Sequence, residues 1–127
     1  MSSVPRNTRL YNQAIEILRL SRSISNYLIY DLAPLESNGT ENPYVYFTGD
    51  IVRHSDSLAP EIIKAESQTF QDDRLRHAAS LDRLTSSLYA TCERLERAES
   101  SGKDFVRLLR SEVRKFRKLQ HKWMMTL

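Results

Sequence analysis

The chain has 127 residues and a net charge of +3, with 40% apolar and 28% charged side chains, proportions ordinary for one folded domain with a real core. A single cysteine, Cys92, excludes an internal disulfide and points to a reducing compartment. No run approaches the roughly 18 apolar residues of a membrane span, and the opening MSSVPRNTR lacks the apolar core of a secretory signal. The expectation is a cytoplasmic protein with one domain over residues 1–127. Three Gly and four Pro are few, and the β-branched residues are scattered rather than alternating, which favours helix over sheet.

Four helices are predicted. The first runs from about Thr8 to Asp31 with Asn7 as N-cap. Leu10, Ala14, Ile17, Ser21, Ile24 and Leu28 share one stripe at three-four spacing, where Ser21 marks a close helix approach rather than chemistry. The stretch APLESNGTEN, Ala33 to Asn42, is the clear loop, since Pro34 and Gly39 break the helical pattern.

Asn42 and Pro43 read as N-cap and first turn of the second helix. This helix carries Tyr44, Phe47, Ile51, Leu58, Ile62 and Ala65, and Pro60 predicts a kink or a break within it. A turn is expected in Ser67–Asp73 although it holds no Gly or Pro, because a continuous helix over 60–100 would span about 60 Å and overhang its partners. The third helix holds Leu75, Ala78, Leu81, Leu84, Leu88, Cys92 and Leu95, with Gly102 as the residue that stops it. Four amphipathic helices with mostly short connections imply an all-α, antiparallel up-down four-helix bundle.

The last helix, from Lys103, has two faces that disagree. Val106, Leu109, Val113, Phe116, Trp123 and Leu127 share an apolar sector. Lys103, Arg107, Arg110, Arg114 and Arg117 recur at the same spacing on the other side, and Lys115, Lys118 and Lys122 widen that face. Eight Lys/Arg against Asp104 and Glu112 make this segment +6, residues 1–30 carry +3 and residues 31–101 carry −6. Basic ends and an acidic middle predict a polarised surface. Fourteen of the 19 cations are Arg, the better residue for phosphate and carboxylate forks.

Residues of the second and third helices resemble a family. Ile51, Arg53, Ser57, Leu58, Pro60, Ile63, Ala65 and Glu66 look like the "IRR…SIPSNIAEG" stretch of bacterial four-helix proteins encoded in 23S rRNA intervening sequences. Ser87, Leu88, Tyr89, Glu93, Leu95 and Ala98 resemble that family's "SLYELETQLEIA" segment. The likeness covers residues 51–98. Pro60 aligns after a one-residue shift, and Ser67 stands where the family often has Gly. The related accessory variability proteins of diversity-generating retroelements share the bundle. The resemblance implies no catalytic residues, a ring-like homo-oligomer with a pentamer as precedent, and a basic surface engaging nucleic acid and, in retroelements, a reverse transcriptase.

The candidate nucleic-acid-binding residues are therefore Arg107, Arg110, Arg114, Lys115, Arg117, Lys118 and Lys122, whose cations would contact phosphates with salt-sensitive, weakly sequence-specific affinity. The competing readings are a solvated face and a scaffold whose basic face meets an acidic protein. Glu112, at the edge of the apolar sector, either pairs with Arg of a neighbouring subunit or reaches solvent. Tyr44, Tyr46 and Phe47 either stack bases or cover the end of the core. His54 follows Asp50 by four and His77 follows Asp73 by four, but the spacing is not that of a di-metal bundle, so no metal or other cofactor is expected. His121 lies on the basic arc and adds nothing at neutral pH. Cys92 reads as a small core residue, and Glu93 to Arg97 as a surface pair. No constellation for catalysis is found.

Overall fold

The computed structural model describes residues 5–32, 39, 44–98 and 102–127. All regular structure among them is helical: α1 (Thr8–Leu32), α2 (Val45–Ser67), α3 (Gln71–Glu96) and α4 (Lys103–Met124). The protein is a four-helix bundle. Each helix packs on two others, in the cyclic order α1–α2–α3–α4, and among the described residues the backbones of the diagonal pairs stay apart. Neighbours run antiparallel. Ser21 meets Ser55 and Asn7 meets Glu66 across α1 and α2. Glu61 meets His77 across α2 and α3, Asp82 meets Gln120 across α3 and α4, and Gln13 meets Glu112 across α1 and α4.

The predicted stripes form the core. Leu10, Ala14, Ile17, Ser21, Ile24 and Leu28 are all buried on α1, and Asn7 Oδ1 accepts from the Leu10 N–H at 3.0 Å as its N-cap. Ser21 and Ser55 share a buried hydrogen bond of 2.7 Å, the close approach expected of a small residue on that stripe. Leu75 departs from its stripe and is 41% exposed.

The predicted turn is present between Ser67 and Gln71. It forms without Gly or Pro because side chains do the capping. Ser67 Oγ and Gln68 Nε2 donate to the Lys64 carbonyl, and Arg74 Nη1 donates to the carbonyls of Gln68 and Thr69. Pro60 does not break α2. The carbonyl of Asp56, which its missing N–H leaves free, lies on the exposed side of the helix, where water can satisfy it.

Two boundary expectations change. Asn42 and Pro43 lie outside the described residues, and α2 begins at Val45 with Tyr44 preceding it. The predicted loop is likewise outside them except for Gly39, whose φ of 83° is the left-handed conformation that favours glycine. Gly102 is not a left-handed stop for α3. Its φ is −87°, it precedes α4, and its carbonyl accepts from Phe105 and Val106. Glycine is needed there for space: a Cβ would lie 2.5 Å from Leu28 Cδ2 and 3.1 Å from Tyr27 Cδ1.

One end of the bundle is tied by a buried carboxylate. Glu66 Oε1 accepts from the Arg6 N–H at 2.9 Å, and Oε2 accepts from the Asn7 N–H at 3.2 Å and Trp123 Nε1 at 3.0 Å. The end of α2, the start of α1 and the end of α4 thus meet on one side chain. Trp123 lies inside the subunit and is 1% exposed, while Met125 is 89% exposed.

Candidate nucleic-acid interface

The buried sector of α4 is Val106, Leu109, Val113, Phe116, Gln120 and Trp123. Gln120 was not legible as a core residue. It is fully buried because Thr85 Oγ1 donates to its Oε1 at 2.8 Å and its Nε2 donates to Asp82 at 3.0 Å, so its amide is satisfied across the α3–α4 seam. The docked stripe fixes the rotation of α4 and turns its cations outward.

The cations do not form one row. They part into two groups flanking the helix. On the α3 side, Arg110, Arg114 and Arg117 converge on Tyr89, their guanidinium carbons 5.8, 5.9 and 5.9 Å from the ring centroid. Arg114 Nη2 donates to the Tyr89 hydroxyl at 2.9 Å and Arg110 Nη1 at 3.3 Å, while Arg117 Nη2 donates to Ser86 Oγ at 2.6 Å. These hydrogen bonds, Arg114 first and then Arg110, hold the Tyr89 phenol below its usual pKa by favouring the phenolate.

On the α1 side, Lys115, Lys118 and Lys122 join Arg9, Gln13 and Leu119 around a groove of about 300 Å³. Arg9, on the other side of this groove, was not among the predicted residues. Its distance from α4 in sequence hid it, and only the antiparallel docking of α1 on α4 brings it there.

Acids occupy part of the face. Arg107 lies 3.6 Å from both Glu96 and Asp104, and Lys115 Nζ lies 3.0 Å from Glu112. Arg110 Nε lies 2.9 Å from Glu96 Oε2, close enough for an ion pair although its N–H is not aligned as a hydrogen bond. The expectation that the whole row points freely away from the core does not hold for Arg110, whose side chain is only 26% exposed. Placing a carboxylate there would set it against Glu96. Among the described residues Arg9, Arg114, Arg117, Lys118 and Lys122 have no carboxylate within ion-pair distance. These five lie along the second half of α4, and Lys103 at its start is also without a carboxylate.

The other candidates resolve within the subunit. Within the subunit Glu112 is bound on both sides rather than left in solvent. Gln13 Nε2 donates to it at 2.8 Å and Lys115 at 3.0 Å, and these bonds hold its carboxyl below the usual range. Tyr44 packs on Phe47 at 5.9 Å, and Arg94 lies over Phe47, so these two rings cover the end of the core next to α3, while Tyr46 is 68% exposed. Asp50 pairs with Arg53, Asp73 with Arg76, and His77 with Glu61, so neither predicted Asp–His pair forms. Among the described residues no group of three His, Cys, Asp or Glu is arranged to hold a metal. Glu93 and Arg97 make no ion pair, although Arg97, the C-cap of α3, keeps a helical backbone. Cys92 is fully buried, and burial, helped by the nearby Glu96 carboxylate, pushes its thiol up to about 12.

No helix among the described residues is long and apolar enough to cross a membrane. Comparison with protein-family models, with curated proteins and with solved structures returned no match.

Proposed function

We propose that this protein is a non-enzymatic accessory factor that binds RNA or DNA through the phosphates along α4. One observation carries the reading: α4 is docked by a full apolar stripe, yet presents Arg114, Arg117, Lys118 and Lys122, with Arg9 alongside, without carboxylate partners. Eight other cations sit beside acids, as Arg19 does with Glu16 and Lys64 with Glu61, while among the described residues Arg6, Arg83, Arg94, Arg97 and Lys103 do not. Cations left unpaired on a rigid frame suit a polyanion, whose condensed counterions are released on binding. Cys92 gives covalent chemistry no start, because its thiol stays protonated at neutral pH.

The resemblance over residues 51–98 adds a homo-oligomeric ring, with a pentamer as precedent, and a retroelement reverse transcriptase as protein partner. A groove of about 370 Å³ lined by Leu20, Ile24, Tyr27, Phe105 and Leu108 offers such a ring apolar surface to bury. Light scattering of the parent tests this part, and a monomer at micromolar concentration removes the ring.

Binding is tested by fluorescence anisotropy with an RNA, the DNA of the same sequence, and polyglutamate. We expect both nucleic acids to bind with little dependence on sequence, and Lys118→Gln with Lys122→Gln to weaken binding about tenfold at low salt. Polyglutamate binding as tightly as RNA would replace this reading with an acidic protein partner.

A further inference from the structure

The geometry points to a discrete phosphate seat between α3 and α4, formed by Arg110, Arg114 and Arg117 around the Tyr89 hydroxyl with Ser86 at its edge, which takes one phosphodiester group of a nucleic acid. As a nucleic-acid contact it rests on the reading above. As a phosphate seat it is tested alone, with inorganic phosphate.

Three features set this cluster apart from an ordinary basic face. Its guanidiniums are placed by protein atoms: Arg110 and Arg114 each donate to one phenol oxygen, and Arg117 donates to Ser86 Oγ. The planar forks are thereby ordered before any ligand arrives, which lowers the entropy cost of binding. The cluster also carries uncompensated charge. Arg110, Arg114 and Arg117 are spaced four and three apart, so like charges adjoin along one helix edge, an arrangement that disfavours the helix unless an anion joins them. Glu96 compensates Arg110 and is shared with Arg107, and neither Arg114 nor Arg117 has a carboxylate partner among the described residues. Finally, the cluster has hydrogens to give. A phenol oxygen that accepts two N–H bonds leaves its own hydrogen to donate, and Ser86, having accepted from Arg117, is in the same position. A tetrahedral phosphate, with acceptor oxygens only, fits this donor set and a carboxylate fits less of it.

The Lys115, Lys118 and Lys122 side differs in kind. Its ammonium groups are mobile point charges, which add salt-dependent attraction without a fixed geometry.

The test is an arginine side-chain Nε–Hε NMR titration of the full chain with inorganic phosphate, with chloride at matched ionic strength as control. Signals of Arg110, Arg114 and Arg117 are expected to move together with one saturable dissociation constant, while those of other arginines follow the chloride control. Tyr89→Phe and Arg114→Lys leave the net charge unchanged. Each is expected to weaken phosphate about fivefold, with helical circular dichroism preserved. All arginines shifting alike, or both variants binding phosphate as the parent does, would overturn the seat in favour of a diffuse positive field. A single-stranded RNA decamer separates the two readings. If the seat fills with phosphate but the RNA does not bind at any salt, the nucleic-acid reading falls and the seat stands as a site for free phosphate. If RNA binds while phosphate leaves the three signals unmoved, the seat falls and the nucleic-acid reading stands.

Discussion

Removing the Glu66 carboxylate should cost more stability than its surface-like residue type suggests. Glu66 is 7% exposed and accepts from the Arg6 and Asn7 N–H groups and from Trp123 Nε1. Each hydrogen bond to a charged group contributes about 1.5–3 kcal/mol, and the three are not additive. In Glu66→Ala the two backbone donors face a groove lined by Arg6, Asn7, Trp123 and Leu127, where water can replace the lost oxygen. The indole N–H, on a residue 1% exposed, is served worst and bears a desolvation cost of about 1–3 kcal/mol. With the negative charge also lost beside the start of α1, the expected change is about 3 kcal/mol. Glu66→Gln should cost about half that, since its amide keeps one acceptor and turns an NH2 toward the remaining donors. Urea unfolding followed by Trp123 fluorescence measures both. A loss below about 0.5 kcal/mol in Glu66→Ala, with the denaturant slope unchanged, would refute the idea that this side chain ties three helices together.

Gly102→Ala should destabilise by about 1–2 kcal/mol, because its Cβ would meet Leu28, which is buried and has little room to yield; an unchanged urea midpoint would contradict the close packing. Cys92 should resist iodoacetamide at pH 8 in the native state and react on unfolding, since burial keeps its thiol protonated up to about 12, and rapid native labelling would contradict this. Glu112, whose folded pKa is depressed by Gln13 first and Lys115 second, should contribute stability that is full above its ordinary value of 4.5 and is lost as pH falls through the folded value. The parent should therefore be more stable than Glu112→Gln at pH 6, and the difference should close on acidification. Equal urea midpoints at pH 6 would show that the Gln13 contact contributes nothing.

Periodic features of this chain are legible in its sequence. The apolar stripes, Ser21 at a helix crossing and Asn7 as a cap each depend on residues within a few positions of one another, whereas the turn after Ser67 follows from the length an unbroken helix would reach. What escapes such reading depends on distant partners. Gln120 is a core residue only because Thr85 and Asp82 stand opposite, and Glu66 is buried only because α1 and α4 bring it N–H groups. The basic face shows the same division. Helical spacing places the Cα atoms of Arg110, Arg114 and Arg117 correctly on the edge of α4, but long Arg side chains reach sideways. Their ends are set by Tyr89 and Ser86 of α3, which no local pattern links to them.

The salt dependence of RNA binding by the parent protein tests the central claim most directly. Arg9, Arg114, Arg117, Lys118 and Lys122 are the carboxylate-free cations along the second half of α4. Contacts from these five to a single strand, at about 0.7 each, predict a slope of about −3.5 for the logarithm of affinity against the logarithm of salt. In Lys118→Gln with Lys122→Gln the slope should flatten by about 1.4. No measurable binding at low salt, or a parent slope shallower than about −1, would contradict the claim that this face binds nucleic acid.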